Sequence, residues 1–447
     1  MNLWADYDNQ HMPAEEAVRH KQRGRLTEQV ILSALRSWLL AEYVPSYSHA
    51  LAAMRFYRRC YWIDAWGMHT RADMTIPSAP VPPIQEGVKG GIKEGVKGRK
   101  KEVAQVLPPV LQPVAALSAQ LAQESRPLAL YGIVLEAGSS TRKDGKARQN
   151  SSAGDGETAQ LALISSESTL SKESGVLHAS WLEVGPTLLK EIDQPPAIFL
   201  LNPFGATIFR YDDLAPLYQR TAPTELCLLM PHKQVEAQLI ASIRSPAVAA
   251  TLTALLRTDR WKTLLPKDEG VSNRVDSFID LLLASMQRQF LSVQRIEVSL
   301  QTGPALIETA PYTLLFATRS KDSLLCMNDA VCMRRRGLLE QSYRGILGED
   351  WFAAQQQERD IEELQQLRQR VLQLGRAHRT RRWPDLRQQL LIATFGQFTV
   401  RNYDEIIVSL IQEGTVHCEW KRRATGNTSE EASMPDVPGN DDTVVWH

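Results

Sequence analysis

The stretch that most constrains this chain is Ile198-Phe199-Leu200-Leu201-Asn202-Pro203-Phe204-Gly205. Four successive apolar residues suit a strand buried on both faces, and the Pro and Gly that follow end it. The stretch therefore reads as the carboxyl end of a central strand in a parallel sheet, where open α/β sheets bind their ligands. Asn202, the Pro203 carbonyl and the Phe204 ring together suit a flat ligand carrying an amino group. The oxygens accept its N–H bonds while the ring stacks on its face. The plainer alternative is an ordinary strand-ending turn.

Other strands and helices fall around this one at crossover spacing. Val30 to Tyr43 repeats its apolar residues helically, with Thr27 as N-cap and Pro45 as a stop. A short helix at Ala50 to Arg59 then delivers the chain to a first strand, Cys60 to Ile63, with Asp64, Ala65, Trp66 and Gly67 as its exit. Leu128 to Leu135 reads as the next strand, ending in Glu136; an acidic group there is where nucleotide-binding α/β folds hold a ribose. Leu161 to Ile164 reads as a strand, Ser180 to Ile192 as a helix, Ile208 to Leu217 as a helix and Thr224 to Met230 as a buried strand. Arg295 to Leu300 and Pro311 to Thr318 suggest two late strands that close the sheet antiparallel.

With 447 residues, the chain is long enough for about two or three domains. The expected division is a polar segment over 1–26, an α/β domain over 27–345, a helical strut with a winged-helix-like segment over 346–423, and a disordered acidic tail over 424–447. Inside the α/β domain, the Pro- and Gly-rich stretch 77–125 and the polar stretch 137–158 read as disordered insertions, and 232–293 as a helical insert. Leu386 to Ala393, Tyr403 to Ile411 and Val416 to Trp420 spell helix, helix, strand, with the basic Lys421-Arg422-Arg423 behind.

Lys plus Arg and Asp plus Glu are both 51, so net charge argues neither for nor against a nucleic-acid partner. Five scattered cysteines lack metal spacing and suit reduced thiols in the cytoplasm. Met1 to Glu28 is too polar for a signal peptide, and no apolar run approaches the roughly 20 residues of a membrane span. No Ser-His-Asp, Cys-His or paired-carboxylate set is defensible, and His69, His178, His232 and His417 read as satisfied or solvated.

Taken in order, Trp62-Ile63-Asp64-Ala65-Trp66-Gly67, Leu135-Glu136, Phe199 to Gly205, Tyr312 to Thr318 and Met327-Asn328-Asp329-Ala330 give a chain that resembles the three-Cys-motif partner family. The resemblance implies a doubly wound, mostly parallel α/β sheet of class I methyltransferase type. It also implies S-adenosylmethionine as cofactor and a three-Cys-motif protein as partner. Carried over residue by residue, it assigns Asp64, Gly67 and Glu136 to cofactor binding and Asn202, Pro203 and Phe204 to the catalytic station.

Two departures bear on mechanism. Where the family is glycine-rich after the first strand, this chain has Met68, His69 and Thr70, whose side chains would crowd the methionine end of the cofactor. The family's Asp-Pro-Phe-Gly becomes Asn202-Pro203-Phe204-Gly205, closer to the amine-orienting motif of amino-methyltransferases but without its second Pro. Two competing expectations accompany the enzyme: a non-catalytic scaffold that holds a partner protein, and a DNA-binding unit formed by the winged segment with Lys421 to Arg423.

Overall fold

The computed structural model describes residues 29–67, 109–124, 126, 128–136, 174–205, 207–264, 271–303, 306–378, 382–421 and 437–446. Seven strands form one mixed sheet: β1 (Arg59–Ala65), β2 (Ala129–Leu135), β3 (Gly175–Leu177), β4 (Ala197–Leu201), β5 (Thr224–Pro231), β6 (Ser292–Gly303) and β7 (Leu306–Thr318). Their order is β3-β2-β1-β4-β5-β7-β6. The first five run parallel, and β7 lies antiparallel between β5 and β6. The chain thus has an α/β fold with a Rossmann-like, mostly parallel sheet, as the buried strand runs and their crossover spacing predict.

Alternation along each strand divides the core into two layers. Tyr61, Ile63, Phe199, Leu201, Leu226 and Leu228 point to one face, and Cys60, Trp62, Ile198, Leu200, Cys227 and Leu229 to the other. The second face is covered by α1 (residues 29–38), which passes through a π-helical turn at Leu39–Tyr43 into α2 (Val44–Met54). Pro45 does not stop this helix. It falls at the start of α2, directly after the π-helical turn, where the first turn of a helix tolerates a proline.

Three other expectations change. Part of the first supposed insertion is ordered: Gln112–Gln123 forms α3, which seats Val114, Leu117 and Leu121 on β2. The stretch 137–158 and Leu161 to Ile164 lie outside the described residues; the described third parallel strand is Gly175–Leu177. The helices read as an insert, α6 (His232–Arg244), α7 (Pro246–Leu256) and α8 (Val271–Met286), are instead a layer of the first face. Val235, Leu252, Phe278 and Leu282 are buried there with α4 (Trp181–Glu191) and α5 (Tyr211–Gln219). Finally, the tail holds strand β9 (Thr443–Trp446), which pairs antiparallel with β8 (Val416–Glu419).

A third core joins α10 (Glu349–His378), α11 (Trp383–Ala393), α12 (Val400–Gln412) and the β8–β9 ribbon. The Trp446 ring lies on Gly375 of α10, where a Cβ would come within 2.4 Å of it. This module is latched to α9 (Lys321–Tyr343) by the Asn328-Asp329 pair. The fully buried Asn328 amide donates to the Phe398 carbonyl at 2.8 Å and accepts from the Gly396 N–H at 2.9 Å. Asp329 accepts the Val400 N–H at 2.8 Å, at the amino end of α12.

Candidate functional site

The parallel register brings the expected site residues to one edge of the sheet. Asp64 pairs with Val134 and Ala65 with Leu201, so one step further Trp66 lies level with Glu136 on β2 and Asn202 on β4. Gly67 stands just above, at φ +71°, with no atom of the described residues within 4 Å of where a Cβ would sit. A side chain is strained at this φ, and the backbone there is open to close approach.

Glu136 is half exposed at the tip of β2. Its N–H donates to the Leu177 carbonyl at 2.9 Å, and its carboxylate lies 3.3 Å from Nδ1 of His178, itself 65% exposed. The pair forms the rim between β2 and β3, with hydrogen-bonding capacity left over on both side chains. In the sequence His178 reads as a satisfied or solvated histidine, because nothing local links it to Glu136; only the β2–β3 pairing does.

Asp64 has a different environment. Strand alternation turns it toward α1, where it is fully buried and accepts from Nε of Arg36 at 2.7 Å. The Trp66 N–H occupies its other oxygen at 3.1 Å. The Arg36 guanidinium also donates to the Gly67 carbonyl and stands 5.8 Å from the Trp66 ring. Trp66 is buried on the same face, its indole donating to the Cys227 carbonyl at 3.2 Å. Asp64 therefore fixes the exit of β1 and presents no free carboxylate to a ligand. Arg36 carried no signal in the sequence, since it lies 28 residues before its partner.

The β4 exit is likewise bound up in the fold. Asn202 Oδ1 accepts the Phe204 N–H at 3.0 Å, closing an Asx turn, and the Pro203 carbonyl accepts the Phe209 N–H at 3.0 Å. Phe204 is only 2% exposed; its ring meets Phe278 of α8 edge to face at 5.8 Å. The expectation that this ring stacks on a ligand is corrected: the turn rotates it into the first core layer. Asn202 is half-buried and keeps its amide N–H groups. At the end of β5, His232 Nε2 lies 2.8 Å from Thr313 Oγ1, and burial lowers its pKa. Met68, His69 and Thr70 lie outside the described residues.

The edge thus has an open side, at Gly67, Glu136 and His178, and a closed side, at Asp64, Trp66 and Phe204. Among the described residues, no group of His, Cys, Asp and Glu is placed to hold a metal. No helix of the described residues is long and apolar enough to cross a membrane. The chain matches no family model, no curated protein and no solved structure to which it was compared.

Proposed function

We propose that this chain is a class I methyltransferase-like protein of the three-Cys-motif partner type, acting with a three-Cys-motif protein and binding the nucleoside end of S-adenosylmethionine at the open side of its strand-end cleft. The sheet order carries this reading. Five parallel strands with one reversed strand between the fifth and sixth is the arrangement that a class I methyltransferase-like core implies.

The residues on the open side fit the nucleoside. Glu136 offers carboxylate oxygens to a ribose hydroxyl pair, and the uncrowded backbone at Gly67 lets the ligand approach the sheet. When bound, the cofactor supplies an already activated methyl group, so the protein's part is positioning. Here Asn202, whose amide N–H groups have no partner among the described residues, is left to orient a substrate. Calorimetric titration with S-adenosylmethionine tests the reading: micromolar binding that falls at least about tenfold in Glu136→Ala is expected. Absence of binding up to millimolar concentration would sink it.

The same titration separates a second reading, a non-catalytic scaffold. It is favoured by the internal use of Asp64, the Pro203 carbonyl and the Phe204 ring. The DNA-binding reading gains nothing from α12. Its Arg401 is paired with Glu405 at 2.6 Å, and its Asp404 is held by Arg387 at 2.7 Å.

A further inference from the structure

The amino edge of the sheet carries a short loop that takes no part in the cleft. α2 ends at Met54, and Arg55, Phe56, Tyr57 and Arg58 lead from it into β1. The loop is held at both ends. Arg55 has a left-handed backbone, φ 58°, and its N–H donates to the Ala52 carbonyl at 3.2 Å. A non-glycine residue adopts that conformation only where its surroundings fix it. On the other side Tyr57 packs against the second core layer, and the Arg58 carbonyl accepts the Ala129 N–H at 3.0 Å.

Between these anchors Phe56 is 85% exposed. From residue 31 to residue 239 it is the only exposed large apolar side chain among the described residues. Arg55 and Arg58 flank it, are exposed themselves, and form no ion pair among the described residues. Glu124, the acidic residue where α3 turns toward β2, is taken up by Arg126 at 3.1 Å and by His49 at 3.6 Å.

These features select a kind of ligand. A protein interface or a membrane surface is met by several contiguous apolar side chains, and here there is one ring. A single ring between two free guanidinium groups matches a chain of alternating planar and anionic units, in which a base stacks on the ring while neighbouring phosphates meet the arginines. Bases of a duplex are stacked on each other, so the matching ligand is single-stranded.

We propose that the loop from Arg55 to Arg58 is a docking site for single-stranded nucleic acid, with Phe56 stacking on a base and Arg55 and Arg58 holding the adjacent phosphates. The loop is one length of β1, about 20 Å, from the strand-end cleft, so the site stands independently of cofactor binding.

Fluorescence anisotropy of the full-length chain with a labelled oligothymidylate tests the site. Micromolar binding at about 50 mM salt is expected. Phe56→Ala should weaken it at least about fivefold and leave its salt dependence unchanged. Arg55→Asn with Arg58→Gln, in which Asn tolerates the left-handed backbone, should reduce the slope of log affinity against log salt by about 1.4, or roughly 0.7 for each phosphate contact. Arg359→Gln, on the exposed face of α10, should change nothing, and all variants should keep the far-ultraviolet circular dichroism of wild type. Absence of binding at low salt overturns the proposal. So does binding that Phe56→Ala leaves intact, equal affinity for a duplex of the same length, or binding to phosphatidylserine vesicles without binding to the oligonucleotide.

Discussion

The two edges of the sheet bury polar groups for opposite ends. At the amino edge, Glu225 of β5 is fully buried with no cation among the described residues bonded to it. Tyr47 donates to Oε1 at 2.8 Å and Ser323 to Oε2 at 2.5 Å, and the Tyr43 hydroxyl lies 2.8 Å behind Ser323. Beside it, the buried Arg220 guanidinium donates to the carbonyls of Ile192, Pro195 and Pro223 and to Thr224 Oγ1. These bonds stitch α2, β5, α9 and the loops entering β4 and β5 into one block. At the carboxyl edge, Arg36 and Asp64 perform a similar tie at β1, but Glu136 and His178 beside them stay solvated. Polar groups bonded inside the core tie the scaffold together; those left solvated at a rim are where a ligand is met.

The largest test of this contrast is at the carboxyl edge. Arg36→Ala leaves a carboxylate buried without its cation, so a loss of about 3–5 kcal/mol is expected in urea unfolding. Much of it should return in the double variant with Asp64→Asn. A loss below about 1 kcal/mol would mean that Asp64 is solvated and free to meet a ligand after all.

Next comes the amino edge, through pH. Burial first, and in spite of its hydrogen bonds, raises the Glu225 pKa from the ordinary carboxylate value of 4.5 to about 7. The native state therefore holds this proton more tightly than the unfolded chain does. The stabilisation is full below pH 4.5 and is lost as pH rises through about 7. The pKa difference corresponds to about 3 kcal/mol across that window. Glu225→Gln, which keeps the shape and cannot ionise, should flatten this part of the stability–pH curve and gain on wild type above pH 7. Parallel curves for the two proteins would show that the amino edge is wet.

The smallest stability effect is expected at the rim. Asn202→Ala removes the Asx-turn bond to Phe204 and should cost about 1 kcal/mol in thermal unfolding. Glu136→Ala should change stability by no more than about 0.5 kcal/mol, because its ion pair is exposed. A large destabilisation by Glu136→Ala would remove the distinction between rim and scaffold.

Much of the fold is legible locally. The strand runs at Ile198 to Leu201 and Thr224 to Met230, the helix that starts at Ser180, and the antiparallel close by Pro311 to Thr318 each follow from short-range pattern. So does the coincidence of Glu136, Gly67 and Asn202 at one edge, since parallel strands end in register. Pro45 and the helix at Gln112–Gln123 mislead a local reading: a π turn absorbs the one, and packing on β2 selects the other out of a proline-rich stretch.

Periodicity along the chain, then, determined an α/β sheet and which residues stand at its strand ends. Tertiary structure alone decided their state. Alternation turned Asp64 toward a helix, where an arginine 28 residues away neutralises it, and a backbone turn carried Phe204 inward. The same pairing of β2 with β3 brought His178 to Glu136. A residue's partners are set by the register of distant strands and the helices laid over them, and no local pattern records that.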